Sequence, residues 1–323
     1  MQKTIKMNTK EINNKKMKVN YTLPLRSFTL SLLMLSIIFS LPALGQEDEE
    51  TVQEPKKKTE KPARDAFESA WWFDGQTGKV YNKGTLEMIM NHRFGTIKSG
   101  NNDLLGIYGA ANIRLGFNYS PIDKLNVGFG YTKFKKILDL TAKYAILTQT
   151  RSNSMPVSLT YYGNMGIEFM DAENYLNETD RLNYFNQLII MRRFGSKFSA
   201  QIAPSFTHYN ATIWEEQPDG SQARMENDTW ALSVGARYKF TPTIILMLGY
   251  DQPLTQHPIN QPKPSINIGV EFATSSHAFQ VFVTNYNKIQ PQENFRFNQN
   301  DFTKTSDGGV WLIGFNITRL WSF

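Results

Sequence analysis

The residues best suited to metal binding or to proton transfer near neutral pH are the four histidines, His92, His208, His257 and His277. They lack the His-x-x-x-His spacing that places two ligands on one helical face, and no carboxylate cluster accompanies them. The chain has no cysteine, which excludes thiolate ligands, disulfides and a lipid-anchored cysteine. The sequence therefore predicts no metal and no cofactor, with a metal site assembled across strands as a minor alternative.

Local catalytic motifs are also missing from the sequence. It contains no Gly-x-Ser-x-Gly elbow, no P-loop and no Gly-x-Gly-x-x-Gly before a helix. We predict that the protein is not an enzyme. A barrel enzyme that assembles Ser, His and Asp from neighbouring strands stays a third alternative, because such a site needs no local motif.

A different set of candidate residues is charged and occurs at regular positions within strand-like segments. These residues fall on the polar face of the strands, which would line the lumen of a barrel: Glu87, Arg93, Arg114, Asp139, Lys143, Arg237, Lys239 and Glu271. They could pair as an internal network or line an aqueous path. A barrel of twelve strands permits both, because eight strands leave room only for side chains whereas sixteen leave an open channel.

The strands themselves are predicted by period-two alternation, the pattern of a strand with one apolar face. Ile113, Leu115 and Phe117, for example, alternate with Arg114 and Asn118. The same pattern predicts about twelve strands, near residues 85–93, 110–119, 124–132, 137–147, 156–166, 183–193, 197–206, 229–240, 243–250, 265–272, 277–284 and 309–323. Lengths near ten residues suit tilted strands that cross a membrane.

The connections between these strands alternate between short and long, as they do in outer-membrane barrels. Only residues 133–136 are short where a long loop is expected. A soluble β-sandwich would also show alternating strands, but it would not need this order of connections. The fold class predicted is therefore all-β, an antiparallel transmembrane β-barrel, and an even number of strands places both of its ends on the periplasmic side.

The N-terminus has the basic, apolar and small-residue regions of a secretory signal peptide, with cleavage after Ala43-Leu44-Gly45 and before Gln46. The predicted parts are a signal peptide (1–45), a disordered charged periplasmic leader (46–66), an N-terminal segment (67–84) and the barrel (85–323). The apolar run Ala70-Trp71-Trp72-Phe73 is expected at the periplasmic mouth or inside the lumen as a plug.

The net charge of +6 belongs to the targeting segment. Residues 1–45 contain seven basic residues and one acidic residue, and subtracting them from totals of 35 and 29 leaves 28 of each. We therefore predict no nucleic-acid partner. At the other end, Trp321 and Phe323 close an alternating strand, which is typical of the C-terminal signal that outer-membrane barrels present to their insertion machinery.

From Phe67 onward the chain resembles an uncharacterised Bacteroidetes-type outer-membrane β-barrel family, known only as a domain of unknown function. The residues that carry the resemblance are Asn91-His92-Arg93-Phe94-Gly95, Asn112-Ile113-Arg114-Leu115-Gly116, Lys143-Tyr144-Ala145-Ile146-Leu147-Thr148-Gln149-Thr150, His277-Ala278-Phe279-Gln280-Val281-Phe282 and Gly314-Phe315-Asn316-Ile317-Thr318-Arg319. The resemblance implies a barrel fold and an outer-membrane location, and it implies no activity or ligand residue.

These features predict a protein of the Gram-negative outer membrane, exported by a cleaved signal peptide, in contact with outer-membrane lipid and with the barrel-insertion machinery. The leading functional hypothesis is a narrow channel or passive transporter for small solutes, because the predicted lumen is polar. The alternative is a closed barrel that acts as a scaffold or surface-binding protein through its long loops 207–228 and 285–308. The sequence identifies no protein partner.

Overall fold

The computed structural model describes residues 60–303 and 311–323. The predicted signal peptide and most of the predicted leader lie outside these residues. Within them, no helix has the length and apolarity to cross a membrane.

Most of the described chain forms antiparallel strands. The strands of the barrel wall are β3 (Thr85–Thr96), β4 (Asn112–Ile122), β5 (Leu125–Thr132), β6 (Ile137–Leu147), β7 (Ser158–Glu168), β8 (Leu182–Arg193), β9 (Phe198–Tyr209), β12 (Asp228–Lys239), β13 (Ile244–Pro253), β14 (Ser265–Ala273), β15 (His277–Thr284) and β16 (Leu312–Ser322). Two short hairpins are not part of the wall: β1 (Trp71–Trp72) pairs with β2 (Gly75–Gln76), and β10 (Trp214–Glu216) pairs with β11 (Gln222–Arg224). One helix, α1, spans Pro291–Phe297.

The twelve wall strands pair in chain order and close into a barrel where β16 meets β3. The predicted all-β barrel and its number of strands are thus confirmed. The β10–β11 hairpin and α1 lie in segments without a long alternating pattern, so the sequence does not predict them.

Alternation decides which side chains face outward. On β4, Leu115, Phe117 and Tyr119 are exposed, whereas Arg114 and Asn118, which alternate with them, are buried. A strand that presents apolar side chains outward and polar ones inward reverses the arrangement of a soluble protein. Transfer of the outer side chains into lipid is favourable by about 25 cal/mol per Å² of apolar surface, and this stabilises the barrel in a membrane.

Gly84 joins the N-terminal segment to the first wall strand at the point where the barrel closes. Its backbone has φ +79°, and a Cβ atom there would lie 2.6 Å from the carbonyl oxygen of Phe323. The Phe323 amide in turn donates a hydrogen bond to the Gly84 carbonyl at 3.1 Å. A glycine is therefore required both by the left-handed conformation and by the close approach of the C-terminus.

The barrel has two unlike ends. At the turn end lie the short connections, the start of β3 and the end of β16; at the loop end lie the long connections. The short connection at residues 133–136, between β5 and β6, is the one exception that the sequence predicted, and it forms a single 3-10 turn, Phe134–Lys136.

Candidate functional site

The charged residues predicted to line the lumen point away from the exposed apolar face. Lys239 is half-buried near the turn end, and the others are buried: Glu87, Arg93, Arg114, Asp139, Lys143, Arg237 and Glu271. Each of them contacts either other wall residues or chain segments that enter the barrel.

Arg114 on β4 and Asp139 on β6 form a two-pronged ion pair. Arg114 Nε lies 2.8 Å from Asp139 Oδ1, and Nη2 lies 2.5 Å from Oδ2. The guanidinium crosses over Gly130 on the intervening strand, where any Cβ atom would collide with it. It also lies 4.8 Å from the ring of Trp71. Since both partners are almost fully buried, this pair is strongly coupled and sensitive to loss of either member.

Glu87 on β3 is held by three donors. It accepts hydrogen bonds from Tyr81 Oη at 2.8 Å, Asn118 Nδ2 at 2.6 Å and Trp71 Nε1 at 3.4 Å. Two of these donors, Trp71 and Tyr81, belong to the segment that precedes the barrel. The carboxylate is therefore hydrogen-bonded by both the wall and that segment.

Two other predicted lumen residues bond to neighbouring wall residues. Glu271 accepts a hydrogen bond from Gln280 Nε2 at 2.7 Å. Arg93 donates to Asn316 Oδ1 at 3.1 Å and lies 4.6 Å from the ring of Phe282.

Residues 66–84, here called the inserted hairpin, enter the barrel from the turn end. Before them, the Ala63 amide donates to Gln149 O beside the β6–β7 turn at 2.7 Å. Wall side chains from five strands then donate hydrogen bonds to backbone carbonyls of the hairpin: Lys143 to Ala70, Thr160 to Gly78, Gln201 to Gln76, Gln280 to Trp71 and Asn316 to Phe73. Contacts from so many sides show that the hairpin lies inside the lumen. Ala70, Trp71 and Phe73 accept three of these hydrogen bonds.

Aromatic rings pack the inserted hairpin against the wall. Phe67 meets Trp72 at 5.0 Å and Phe73 meets Phe282 of β15 at 5.0 Å, both edge to face. The same cluster includes Met247 of β13. Part of the lumen wall is therefore apolar, and it lies under the hairpin.

Glu68 attaches the hairpin to the wall near the turn end. Its Oε1 accepts a hydrogen bond from Arg237 Nη1 at 3.1 Å and another from Lys239 Nζ. Burial alone would raise the pKa of Glu68, but the two cationic donors outweigh it and hold the pKa below its usual range. The carboxylate is thus charged near neutral pH and forms an ion pair with two lumen bases.

The loop between β15 and β16 enters the barrel from the other end. All of α1 except Phe297 is buried. Gln290 Nε2 donates to Asp139 Oδ1 at 3.0 Å, and Glu293 Oε1 accepts from Tyr209 Oη at 2.5 Å. Glu293 also pairs with Lys135 at 3.3 Å. This corrects the expectation that loop 285–308 forms an outer surface, since its described part through Asn298 is turned inward.

The two insertions meet at Asp74, the tip of the hairpin. Asp74 Oδ1 accepts a hydrogen bond from Tyr286 Oη at 2.5 Å, and Oδ2 accepts one from Asn294. Burial raises the pKa of the Asp74 carboxyl, against the effect of these donors and of nearby Arg93. The lumen is therefore filled along its axis by two chain segments, and cavities of about 10 and 20 Å³ remain between them and the wall.

The histidines do not form a recognisable catalytic or metal centre. His208 Nδ1 lies 2.6 Å from Asp228 Oδ1 at the loop end, but in residues 60–303 and 311–323 no hydroxyl hydrogen-bonds to this pair. His92 stacks on Phe315 at 4.9 Å, and His277 lies beside Arg319. Among the same residues, no three His, Asp or Glu side chains form a group that could hold a metal ion.

Glu68, Asp74 and the polar residues of α1 are not predicted from the sequence. None of them lies on an alternating strand, so the pattern that identifies the wall charges gives no signal for them. The one available signal was the apolar run Ala70–Phe73, which is too apolar to remain in water.

A closed barrel with an apolar exterior, a polar interior and inserted plugs defines a membrane-bound β-barrel protein. The chain matches the family model described as a membrane bound beta barrel domain (DUF5777) over residues 67–321, more than half of its length. The protein belongs to this family. The resemblance found in the sequence is thereby confirmed as a barrel family of unknown function, while its assignment to Bacteroidetes stays a prediction.

Solved structures with a similar fold include outer-membrane proteins. The NanC porin shares 8% identity, with a TM-score of 0.45 over 74% of this chain and 99% of that chain. The COG4313 outer membrane channel from Pseudomonas putida F1 shares 10% identity, with a TM-score of 0.47 over 75% and 97%. The KdgM porin shares 9% identity, with a TM-score of 0.40 over 74% and 99%. Likeness at this level carries no functional argument. No curated protein matches the chain.

Proposed function

We propose that this protein is an outer-membrane channel, closed at rest by its inserted hairpin and by α1, that passes small polar solutes when the hairpin moves. The observation that carries the proposal is that chain segments, rather than long wall side chains, fill a lumen whose wall is largely polar. Wall side chains alone can fill a barrel of about eight strands, whereas a wider barrel leaves space for inserted segments. Polar lumens plugged by a loop or a helix occur among larger barrels.

The hairpin is the better candidate for the moving part. α1 is tied to the wall through β15 and β16, whereas the hairpin joins the wall only after Gly84. Its first turn and its tip are held by groups that water can replace, the ion pairs of Glu68 and the hydrogen bonds of Asp74. The hairpin can therefore withdraw through the turn end without breaking a wall strand.

The resting state is closed, because withdrawal would expose aromatic side chains. Phe67, Trp72 and Phe73 are buried, and each stabilises the closed state by about 1.5–3 kcal/mol. Their sum, about 5–9 kcal/mol, makes unaided opening rare. Opening then requires a trigger such as a bound solute, a partner at the turn end or a change in pH.

The location follows the same proposal. The signal peptide directs export and is cleaved before Gln46, the exposed apolar belt contacts outer-membrane lipid, and Trp321 and Phe323 present the C-terminal strand to the insertion machinery. The turn end then faces the periplasm, as in other barrels with short periplasmic turns.

The test is single-channel conductance of the chain from Gln46 to Phe323 refolded into planar bilayers. We expect the wild type to be closed for most of the recording, and Phe73→Asp, which places a charge in the aromatic cluster, to give frequent discrete steps. Arg114→Ala and Glu271→Ala in the Phe73→Asp background should alter the size of those steps. Silence of every variant, with insertion verified by protease resistance, would overturn the channel proposal.

A second candidate is a closed barrel that binds a partner through the loop end. It is favoured by the β10–β11 hairpin, where Trp214 is 54% exposed with Arg224 lying 5.5 Å from its ring. An exposed aromatic flanked by polar groups can bind a sugar or a protein. Replacement of residues 213–225 by a short glycine-serine turn should abolish capture of that partner and leave insertion intact; retained capture would count against this candidate.

A further inference from the structure

The larger of these two lumen cavities, of about 20 Å³, lies between the tip of the inserted hairpin and one side of the wall. Five consecutive strands of the barrel each contribute a polar side chain to its lining: Gln187 from β8, Gln201 from β9, Ser233 from β12, Asp251 from β13 and Asn267 from β14. Asp74 and Trp72 contribute from the hairpin. The cavity therefore brings together two carboxyl groups and several uncharged side-chain oxygen atoms.

The neutral oxygens are buried and lack partners. Gln187 Oε1, Gln201 Oε1 and Asn267 Oδ1 have no hydrogen-bond donor in the described structure, although the three residues are only 3%, 6% and 2% exposed. A buried acceptor without a donor costs about 1–3 kcal/mol. The indole Nε1 of Trp72, a donor that also lines the cavity, has no partner either, but three acceptors against one donor favour an electropositive occupant.

The orientation of two of these amides is fixed by their other ends. Gln201 Nε2 donates to the carbonyl oxygen of Gln76 at 3.0 Å, and a carbonyl can only accept. Gln187 Nε2 donates at 3.0 Å to Ser205 Oγ, whose own proton goes to Ala203 O. Neither amide can turn its nitrogen toward the cavity without losing that bond, so their oxygens face it.

The residues that line the cavity bring no positive charge to its two carboxyl groups. Asp74 and Asp251 lie there together without a lysine or arginine in the lining. Arg93, outside the cavity, favours the ionised form of Asp74. A bound cation would stabilise the ionised form of Asp251 as well and take the amide oxygens as ligands.

We infer that this cavity binds a hard cation, of which Ca²⁺ fits best, through the carboxylates of Asp74 and Asp251 and the amide oxygens of Gln187, Gln201 and Asn267. Ca²⁺ takes about 6–8 oxygen ligands in a flexible arrangement and accepts both carboxylate and amide oxygens. Mg²⁺ demands a stricter octahedron and retains its water more firmly. Because the ligands come from the wall and from the hairpin tip, the bound ion would fasten the hairpin in its inserted position.

This site is independent of the proposed channel, because a barrel that never opens could hold the same ion. It also differs from a cluster of three or more carboxylates or histidines, since most of its proposed ligands are amide oxygens.

The test uses the refolded chain from Gln46 to Phe323 in detergent, stripped with a chelator, with Tb³⁺ as a luminescent substitute for Ca²⁺. Trp72 lines the cavity and can transfer excitation energy to Tb³⁺ bound there. We expect saturable sensitised emission that Ca²⁺ competes away and Mg²⁺ displaces at least tenfold less effectively. Asp251→Asn should abolish it, whereas the control Glu271→Gln, a buried lumen carboxylate outside this cavity, should retain it.

A second measurement covers the case in which Asp251→Asn fails to fold. Millimolar Ca²⁺ should raise the thermal unfolding midpoint of the wild type by several degrees relative to chelator, and Trp72→Phe should keep that shift while losing the emission. Wild-type protein without sensitised emission and without a Ca²⁺-dependent shift would overturn the inference. Emission unchanged in a folded Asp251→Asn variant would also overturn it, because the ion would then be bound elsewhere.

Discussion

The ion pair of Arg114 and Asp139 offers the sharpest test of whether the lumen is closed to water. The perturbation is Arg114→Met, which keeps an unbranched apolar stem but removes the guanidinium and its charge. Asp139 would then retain only the hydrogen bond from Gln290. Its carboxylate, 0% exposed, would be left buried and unpaired.

The expected loss follows from that burial. Removing one member of a buried ion pair costs about 3–5 kcal/mol, because the remaining charge keeps its desolvation penalty. Arg114→Met combined with Asp139→Leu removes both charges, so the double variant should be less destabilised than Arg114→Met alone. The free energy of unfolding, measured by guanidinium denaturation of the barrel in lipid vesicles with tryptophan fluorescence, completes a double-mutant cycle.

Glu178→Ala provides the matched control. Glu178 pairs with Arg181 at 2.9 Å, but its side chain is 85% exposed, and such pairs contribute about 0–1 kcal/mol. If Arg114→Met cost no more than Glu178→Ala, water would have to reach the lumen pair freely. That result would refute the closed lumen described above.

The remaining predictions concern the position where the barrel closes and the contacts that keep the hairpin inside the lumen. Gly84→Ala should cost more than Gly220→Ala in unfolding free energy, because both have positive φ but only Gly84 also lacks space for a Cβ atom. Conductance should rise as pH falls below about 4, the ordinary pKa of a glutamate. Because the pKa of Glu68 is lowered in the folded protein, its ionised carboxylate stabilises the inserted hairpin above that pH. This stabilisation is lost as the carboxylate is protonated. Tyr286→Phe should speed amide hydrogen exchange in residues 66–84, as it removes one hydrogen bond of about 1 kcal/mol at the hairpin tip.

Each of these has an outcome that would contradict it. Equal losses of unfolding free energy in the two glycine variants would show that the C-terminus can move aside for a Cβ atom without strain. A Glu68→Gln variant should lose the part of the acid response due to this residue, and an unchanged response would assign it to other carboxylates. Unaltered hydrogen exchange in Tyr286→Phe would mean that the aromatic cluster alone holds the hairpin.

The sequence by itself determined the wall of this barrel. Period-two alternation is a local property, since successive side chains of a strand point to opposite faces whatever the rest of the chain does. It was enough to predict each of the twelve strands, the exposed face of Leu115 and Phe117, and the inward face that carries Arg114. The order of short and long connections, also readable locally, distinguished a barrel from a sandwich.

Only the tertiary structure decided what fills the lumen. Asp74 and Tyr286 are 212 positions apart in the chain and meet because two segments enter from opposite ends. Their partners are chosen by the space and polarity that twelve closed strands leave inside, which no local pattern encodes. The sequence could therefore identify lumen charges such as Asp139, but whether they face water or a plug depends on segments that become ordered only within the closed barrel.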